Sequence, residues 1–184
     1  MTLEQQAAHE TGFAENPGPV LEAVFNAILS ERMAGLPVVN TALAVEAVGF
    51  QAWEGHWLGV LITPWFLNLL IVPKAGSPWP QQFETGKGKE VVLAFPQGEY
   101  KFSPRREESI GSYLSCSLAS PVHEWKAQAE IRRTAEDVLQ LLKSIPVRAI
   151  EPEQAATDNG QEQPASQGCA LSRRAFLGGA GAAG

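Results

Sequence analysis

Apolar residues recur at spacings of three and four near the N-terminus: Val20, Leu21, Val24, Phe25, Ile28, Leu29 and Met33. That spacing places one apolar stripe on a helix. Asn16-Pro17-Gly18-Pro19 leads into it, and Gly35 and Pro37 end it. From residue 43 the pattern changes. Residues 43–50 are apolar and β-branched and predict a strand, followed by a turn at Trp53-Glu54-Gly55-His56. Residues 56–63 form a second strand that Pro64 breaks, since proline cannot donate to a ladder. Residues 65–72 form a third, nearly continuously apolar as for a strand covered on both faces. The short connections favour antiparallel pairing. After a loop over residues 73–82, residues 90–95 predict a fourth strand. Pro96-Gln97-Gly98 turns into a fifth at residues 99–102, which alternates polar with aromatic. Residues 103–109 read as a polar connection, and 113–118 as a sixth strand or a short extended segment. Ser120-Pro121 reads as an N-cap and first helical residue. Val122, Trp125, Ile131, Ala135, Val138, Leu142 and Ile145 then recur at helical spacing up to Pro146. The fold class is α+β: a mainly antiparallel sheet flanked by an N-terminal and a C-terminal helix, with a disordered C-terminal tail.

The chain has 184 residues, 45% of them hydrophobic, enough for one domain with its own core. We place that domain at residues 16–148. Residues 1–15 are polar and expected to be flexible, and removing them should cost little stability. Residues 149–184 are expected to be a disordered tail, because residues 152–168 are rich in Gln, Ala and Pro and offer almost no apolar bulk. The net charge of −6 is spread along the chain and argues against nucleic acid, whose phosphates need a basic face. The N-terminal residues lack the basic and apolar regions of a secretory signal. The longest apolar stretch, residues 65–72, is far short of the roughly 20 residues of a membrane-spanning helix. The expectation is a cytoplasmic protein without a membrane span.

Catalytic patterns are missing from the sequence. It has no G-x-S-x-G elbow, no phosphate-binding loop and no dinucleotide fingerprint. Gly86-Lys87-Gly88-Lys89 is too short to cradle a phosphate and precedes a strand. The two cysteines, Cys116 and Cys169, and the three histidines show no metal-ligand spacing. Cys116 has no basic neighbour in sequence to lower its pKa and reads as a packed thiol; pairing with His123 is the chemical alternative. The reading is therefore no enzyme, no metal and no cofactor. The five tryptophans say more. Trp53, Trp57 and Trp65 sit near strand ends, and Trp79 lies between two prolines outside any strand, where it could face a partner.

Three blocks give these features a context. They are VEAVGFQAWEGHWLGVLITPWFLNLLIVP (residues 45–73), AFPQGEYKF (94–102) and GSYLSCSLASPV (111–122). With the preceding helix they resemble the HybE/HupJ family of nickel–iron hydrogenase assembly chaperones, in order, over about residues 17–147. The carrying residues are Trp57, Gly59, Ile62-Thr63-Pro64-Trp65 and the run from Tyr113 to Pro121. The resemblance implies an accessory protein that contacts the precursor large or small subunit of an exported uptake hydrogenase, and other maturation factors, before twin-arginine translocation. It implies no catalytic residue. Candidate partner-binding residues are Pro64, Trp65, Trp79 and Cys116. The tail adds Arg173, Arg174, Phe176 and Leu177, because Ser172-Arg173-Arg174-Ala175-Phe176-Leu177 matches the S-R-R-x-F-L core of a twin-arginine signal. The competing expectation is a redox or metal-handling accessory protein that uses Cys116 and Cys169.

Overall fold

The computed structural model describes residues 12–80, 83, 90–96 and 98–143. The expected tail, with Cys169 and the Arg173–Arg174 pair, lies outside the described residues, as does Ile145.

The helical stripe forms α1 (Gly18–Ile28), and a π-helical turn over Leu29–Met33 continues it. Asn16 accepts a hydrogen bond from the Gly18 amide at 2.8 Å and so satisfies one of the free donors of the helix start. Leu21, Phe25 and Ile28 are buried, while Val20 is exposed. The buried stripe is therefore narrower than the apolar spacing alone implies.

Among the described residues six antiparallel strands follow: β1 (Glu46–Trp53), β2 (His56–Ile62), β3 (Leu67–Pro73), β4 (Val91–Phe95), β5 (Gly98–Glu107) and β6 (Gly111–Ala119). Their order across the sheet is β1-β2-β3-β6-β5-β4. The final helix, α2, runs over Gln128–Lys143. The two helices lie on opposite faces of the sheet, so β2 and β3 are buried on both sides. Leu61, Leu70 and Val72 pack with Leu21, Phe25 and Ile28 of α1. Leu58, Val60, Leu69 and Ile71 pack with Ile131, Ala135, Val138 and Leu142 of α2. This explains why β3 reads as continuously apolar.

Gly59 belongs to this packing. A Cβ there would stand 2.4 Å from the Phe50 ring, which lies across β2. The Trp57-x-Gly59 pattern thus has a steric cause: only glycine leaves room for the neighbouring strand's aromatic ring.

Three expectations need correction. The fifth strand does not end at Phe102 but continues to Glu107. Its first half pairs with β4 (Phe102 opposite Val91), and its second half pairs with β6 (Ser103 opposite Ser115, Arg105 opposite Tyr113). The strand changes partner beside Pro104, and the exposed Arg105 and Arg106 give this half a loop-like composition. The bend swings the β4–β5 hairpin over the α2 face, until Phe95 of β4 stacks on Trp53 of β1 with ring centroids 5.4 Å apart. The two edge strands thus touch, and the sheet curls around its larger core.

The second correction concerns the last helix. Ser120-Pro121 does not start it; that peptide is cis, and residues 120–127 form a loop. Val122 and Trp125 are buried as their spacing suggested. Their carbonyls, however, accept from the Asn40 side chain.

The third correction is at the N-terminus. Residues 12–15 are part of the packed structure. Phe13 is buried, and its amide and carbonyl bond Pro73 O and the Ala75 amide at 2.9 and 3.0 Å. The Trp57 indole also donates to the Phe13 carbonyl, at 2.9 Å. Gly12, at φ +87°, lets the chain pass where a Cβ would meet Pro73 and Lys74 backbone atoms within 3 Å. Phe13→Ala should therefore destabilise the fold by about 3 kcal/mol, within the range for truncating a buried aromatic. Denaturant unfolding of the two proteins checks this; equal midpoints would show that the segment does not pack.

Candidate functional site

Two of the sequence blocks, the Thr63-Pro64-Trp65 bend and the segment after β6, meet at one end of the sheet. The bend is built by Thr63. Its amide donates to Phe66 O at 2.9 Å, and its hydroxyl accepts from the Phe66 amide at 3.0 Å and the Trp65 amide at 3.3 Å. Thr63 and Pro64 are fully packed, so the turn is fixed from below, while Trp65 and Phe66 are half-exposed. The Ser120 hydroxyl donates to Trp65 O at 3.2 Å and joins the loop after β6 to the bend.

A third loop completes the assembly through Asn40. Its amide donates to Pro64 O at 2.7 Å. Its side-chain NH2 donates to both Val122 O and Trp125 O at 2.8 Å, and its side-chain oxygen accepts from the Ala42 amide. One residue, through its backbone amide and its side chain together, therefore ties three connections, two of which are more than 50 residues apart in sequence. Sequence reasoning missed Asn40. The available clue was an asparagine in a short connection between helix and strand, where its side chain can replace backbone partners.

The surface carried by these loops is apolar. Trp65 meets Phe66 edge-on at 5.5 Å, and Phe66 meets Phe25 of α1 at 5.9 Å. Leu29 and Met33 of the π turn are half-buried against the same core, and Leu36, in the loop that carries Asn40, is 45% exposed. Glu31 lies in the π turn, whose Arg32 pairs at 3.4 Å with Glu107; Glu107 itself stands opposite Gly111, at the end of β6 away from the bend.

The other candidate residues lie elsewhere. Trp79 sits at the opposite end of β2, half-buried against the α2-side core, edge-on to His56 at 5.1 Å and to Phe83 at 5.2 Å. The Trp79 indole N–H and His56 Nδ1 are buried without a hydrogen-bond partner among the described residues. Cys116 is opposite Leu69 in the middle of the sheet and faces the α2-side core. Burial pushes its thiol up to about 11, so at neutral pH it keeps its proton and is a poor nucleophile and ligand. No group of three or more His, Cys, Asp or Glu among the described residues could hold a metal ion. Among the described members of the proposed set, the structure brings together Pro64 and Trp65, while Arg173, Arg174, Phe176 and Leu177 lie outside the described residues.

Fold and surface first define a class: an α+β domain presenting an aromatic apolar end, of the kind that contacts other proteins. Comparison with known proteins then gives the family. The family model described as NiFe-hydrogenase assembly, chaperone, HybE matches residues 16–179. The hydrogenase expression/formation protein HupT of Azotobacter chroococcum is 46% identical over 123 residues, covering 66% of this chain and 78% of that protein. The Hydrogenase-2 operon protein HybE of Escherichia coli K12 is 31% identical, covering 74% and 82%. The solution structure of HybE from Escherichia coli superposes with a TM-score of 0.59 at 27% identity, covering 84% of this chain and 95% of that one. This chain belongs to the HybE family of nickel–iron hydrogenase assembly chaperones. A further relative, the probable rubredoxin HupJ of Rhodobacter capsulatus, is 36% identical over 148 residues, and the match spans half of its length. Its name does not describe this chain, whose two cysteines are too few for an iron site of four thiolates.

His56 generates a pH prediction. Burial lowers its pKa from 6.5, so the folded protein disfavours the charged imidazole. Below about pH 6.5 the unfolded chain binds a proton that the folded chain resists, and stability falls as pH drops towards the folded pKa. His56→Phe should remove that part of the decline. Denaturation midpoints from pH 7.5 to 5 test this, and parallel profiles for the two proteins would contradict it.

Proposed function

We propose that the end of the domain around Trp65 and Phe66 binds an immature hydrogenase subunit and holds it during assembly, in the cytoplasm, before twin-arginine translocation. The observation that carries this reading is the support beneath the two aromatics. Their turn is fixed by Thr63 and tied by Asn40 and Ser120 to two other loops. Pre-ordered aromatic side chains lose little conformational freedom on binding, and such residues dominate the energetics of protein interfaces. The partner is a precursor large or small subunit, and other maturation factors could meet the same domain. Family membership supports the hydrogenase context. The buried, protonated Cys116 gives no support to the thiol-based alternative.

Trp65→Ser is expected to weaken binding of the precursor subunit about 30-fold or more, the equivalent of about 2 kcal/mol. Because Trp65 is partly buried against the α1-side core, the melting temperature is measured alongside and affinities are compared on folded protein. Calorimetric titration of the purified precursor into both proteins measures this. Unchanged affinity in a folded variant would place the client elsewhere on the domain.

A further inference from the structure

The apolar end has a candidate occupant within the chain. We propose that residues 172–177, Ser-Arg-Arg-Ala-Phe-Leu, dock in cis on the surface around Trp65 and Phe66 and compete with the client for it. The inference rests on reading that end as the client site.

Three observations support it. The first is the family match, which runs to residue 179. It extends past the sheet and both helices, across the Gln/Ala/Pro-rich stretch and through the Arg pair, so the segment belongs to the family unit. The second is chemical fit. Phe176 and Leu177 offer apolar anchors for Trp65, Phe66 and Leu36.

The third is reach. Gln128 opens α2 near the apolar end, where its side chain accepts from the Ala44 amide. The 16 residues of α2 then carry the chain about 24 Å away, to the far end of the sheet. Roughly 30 residues separate Lys143 from Arg173, and a chain of that length reaches at most about 100 Å when fully extended. The connection is long enough to bring the segment back. Tethering at this length supplies an effective concentration of about 1 mM. A contact with a dissociation constant of about 0.1 mM would then leave the surface occupied roughly nine-tenths of the time. A client binding much more tightly displaces it.

The test uses the full chain and a synthetic peptide of its own residues 169–180. The peptide is titrated against the wild type, against Phe176→Ser/Leu177→Ser, and against the same double variant carrying Trp65→Ser. Removing the tail's anchors should tighten peptide binding about tenfold, and Trp65→Ser should abolish it. Equal affinity of the wild type and the anchor variant would overturn occupancy in cis, as would the absence of peptide binding to either. Sedimentation provides a second arm: a wild-type dimer that the anchor variant loses would move the contact to a second copy and overturn the cis assignment. Precursor binding is measured on the same proteins. If Trp65→Ser loses the precursor while the anchor variant gains nothing for the peptide, the client site stands and the tail inference falls. If the peptide behaves as expected but the precursor binds independently of Trp65, the client reading falls instead.

Discussion

The three hydrogen-bond donors of Asn40 hold the apolar end together. Its backbone amide closes on Pro64, and its side-chain NH2 takes the carbonyls of Val122 and Trp125. These carbonyls lie where buried side chains carry the chain off the end of β6 towards α2, and no regular ladder reaches them. An unsatisfied buried acceptor costs about 1–3 kcal/mol, so one asparagine decides whether the loop after β6 can keep Val122 and Trp125 in the core. The same residue fixes the Thr63-Pro64-Trp65 bend from the outside, while Thr63 fixes it from within. The aromatic surface is therefore pre-ordered by polar groups beneath it.

The sheet supplies the rigid base for those loops. Because α1 and α2 cover opposite faces, β2 and β3 have no solvated side, and the bend between them projects from the most buried part of the molecule. The edge strand β1 is closed by side chains from both helices. Glu22 accepts from the Ala47 amide, Asn16 donates to Phe50 O, and Gln128 donates to the Glu46 carboxylate, which also pairs with Arg132. Such caps protect an edge from pairing with other chains. They make strand addition along β1 a poor route for engaging a partner, in keeping with the loop contacts proposed for the aromatic end.

Much of this fold could be read from residue order. The helix stripe, the hairpin around Glu54 and Gly55, and the unbroken apolar run of β3 all obey local rules, and the structure follows them. The misreadings arose where tertiary contacts overrode local pattern. Pro104 and the charged residues after it look like a loop, because a strand that changes partners needs no apolar alternation on its solvated side. Ser120-Pro121 has the composition of a helix start, but the Ser120 hydroxyl is engaged by Trp65 O instead of by a helix amide. Phe13 stood alone among polar residues, and only the β3 terminus reveals its pocket. For the functional surface, Pro64 and Trp65 announced themselves through a break in a strand. Asn40 did not, since its partners are distant in sequence. Trp79 drew attention for its proline neighbours, yet it lies at the other end of β2, against His56.

Asn40 and Trp65 are proposed to act as one unit, the first holding what the second presents. A double-mutant cycle on precursor-subunit affinity tests this most directly, using Asn40→Ala, Trp65→Ser and the combination, each confirmed folded by circular dichroism. The account predicts that Asn40→Ala weakens binding although it touches no client, and that the double variant binds no worse than the weaker single variant, a coupling of about 1 kcal/mol or more. Losses that simply add, or an Asn40→Ala protein with full affinity, would contradict it.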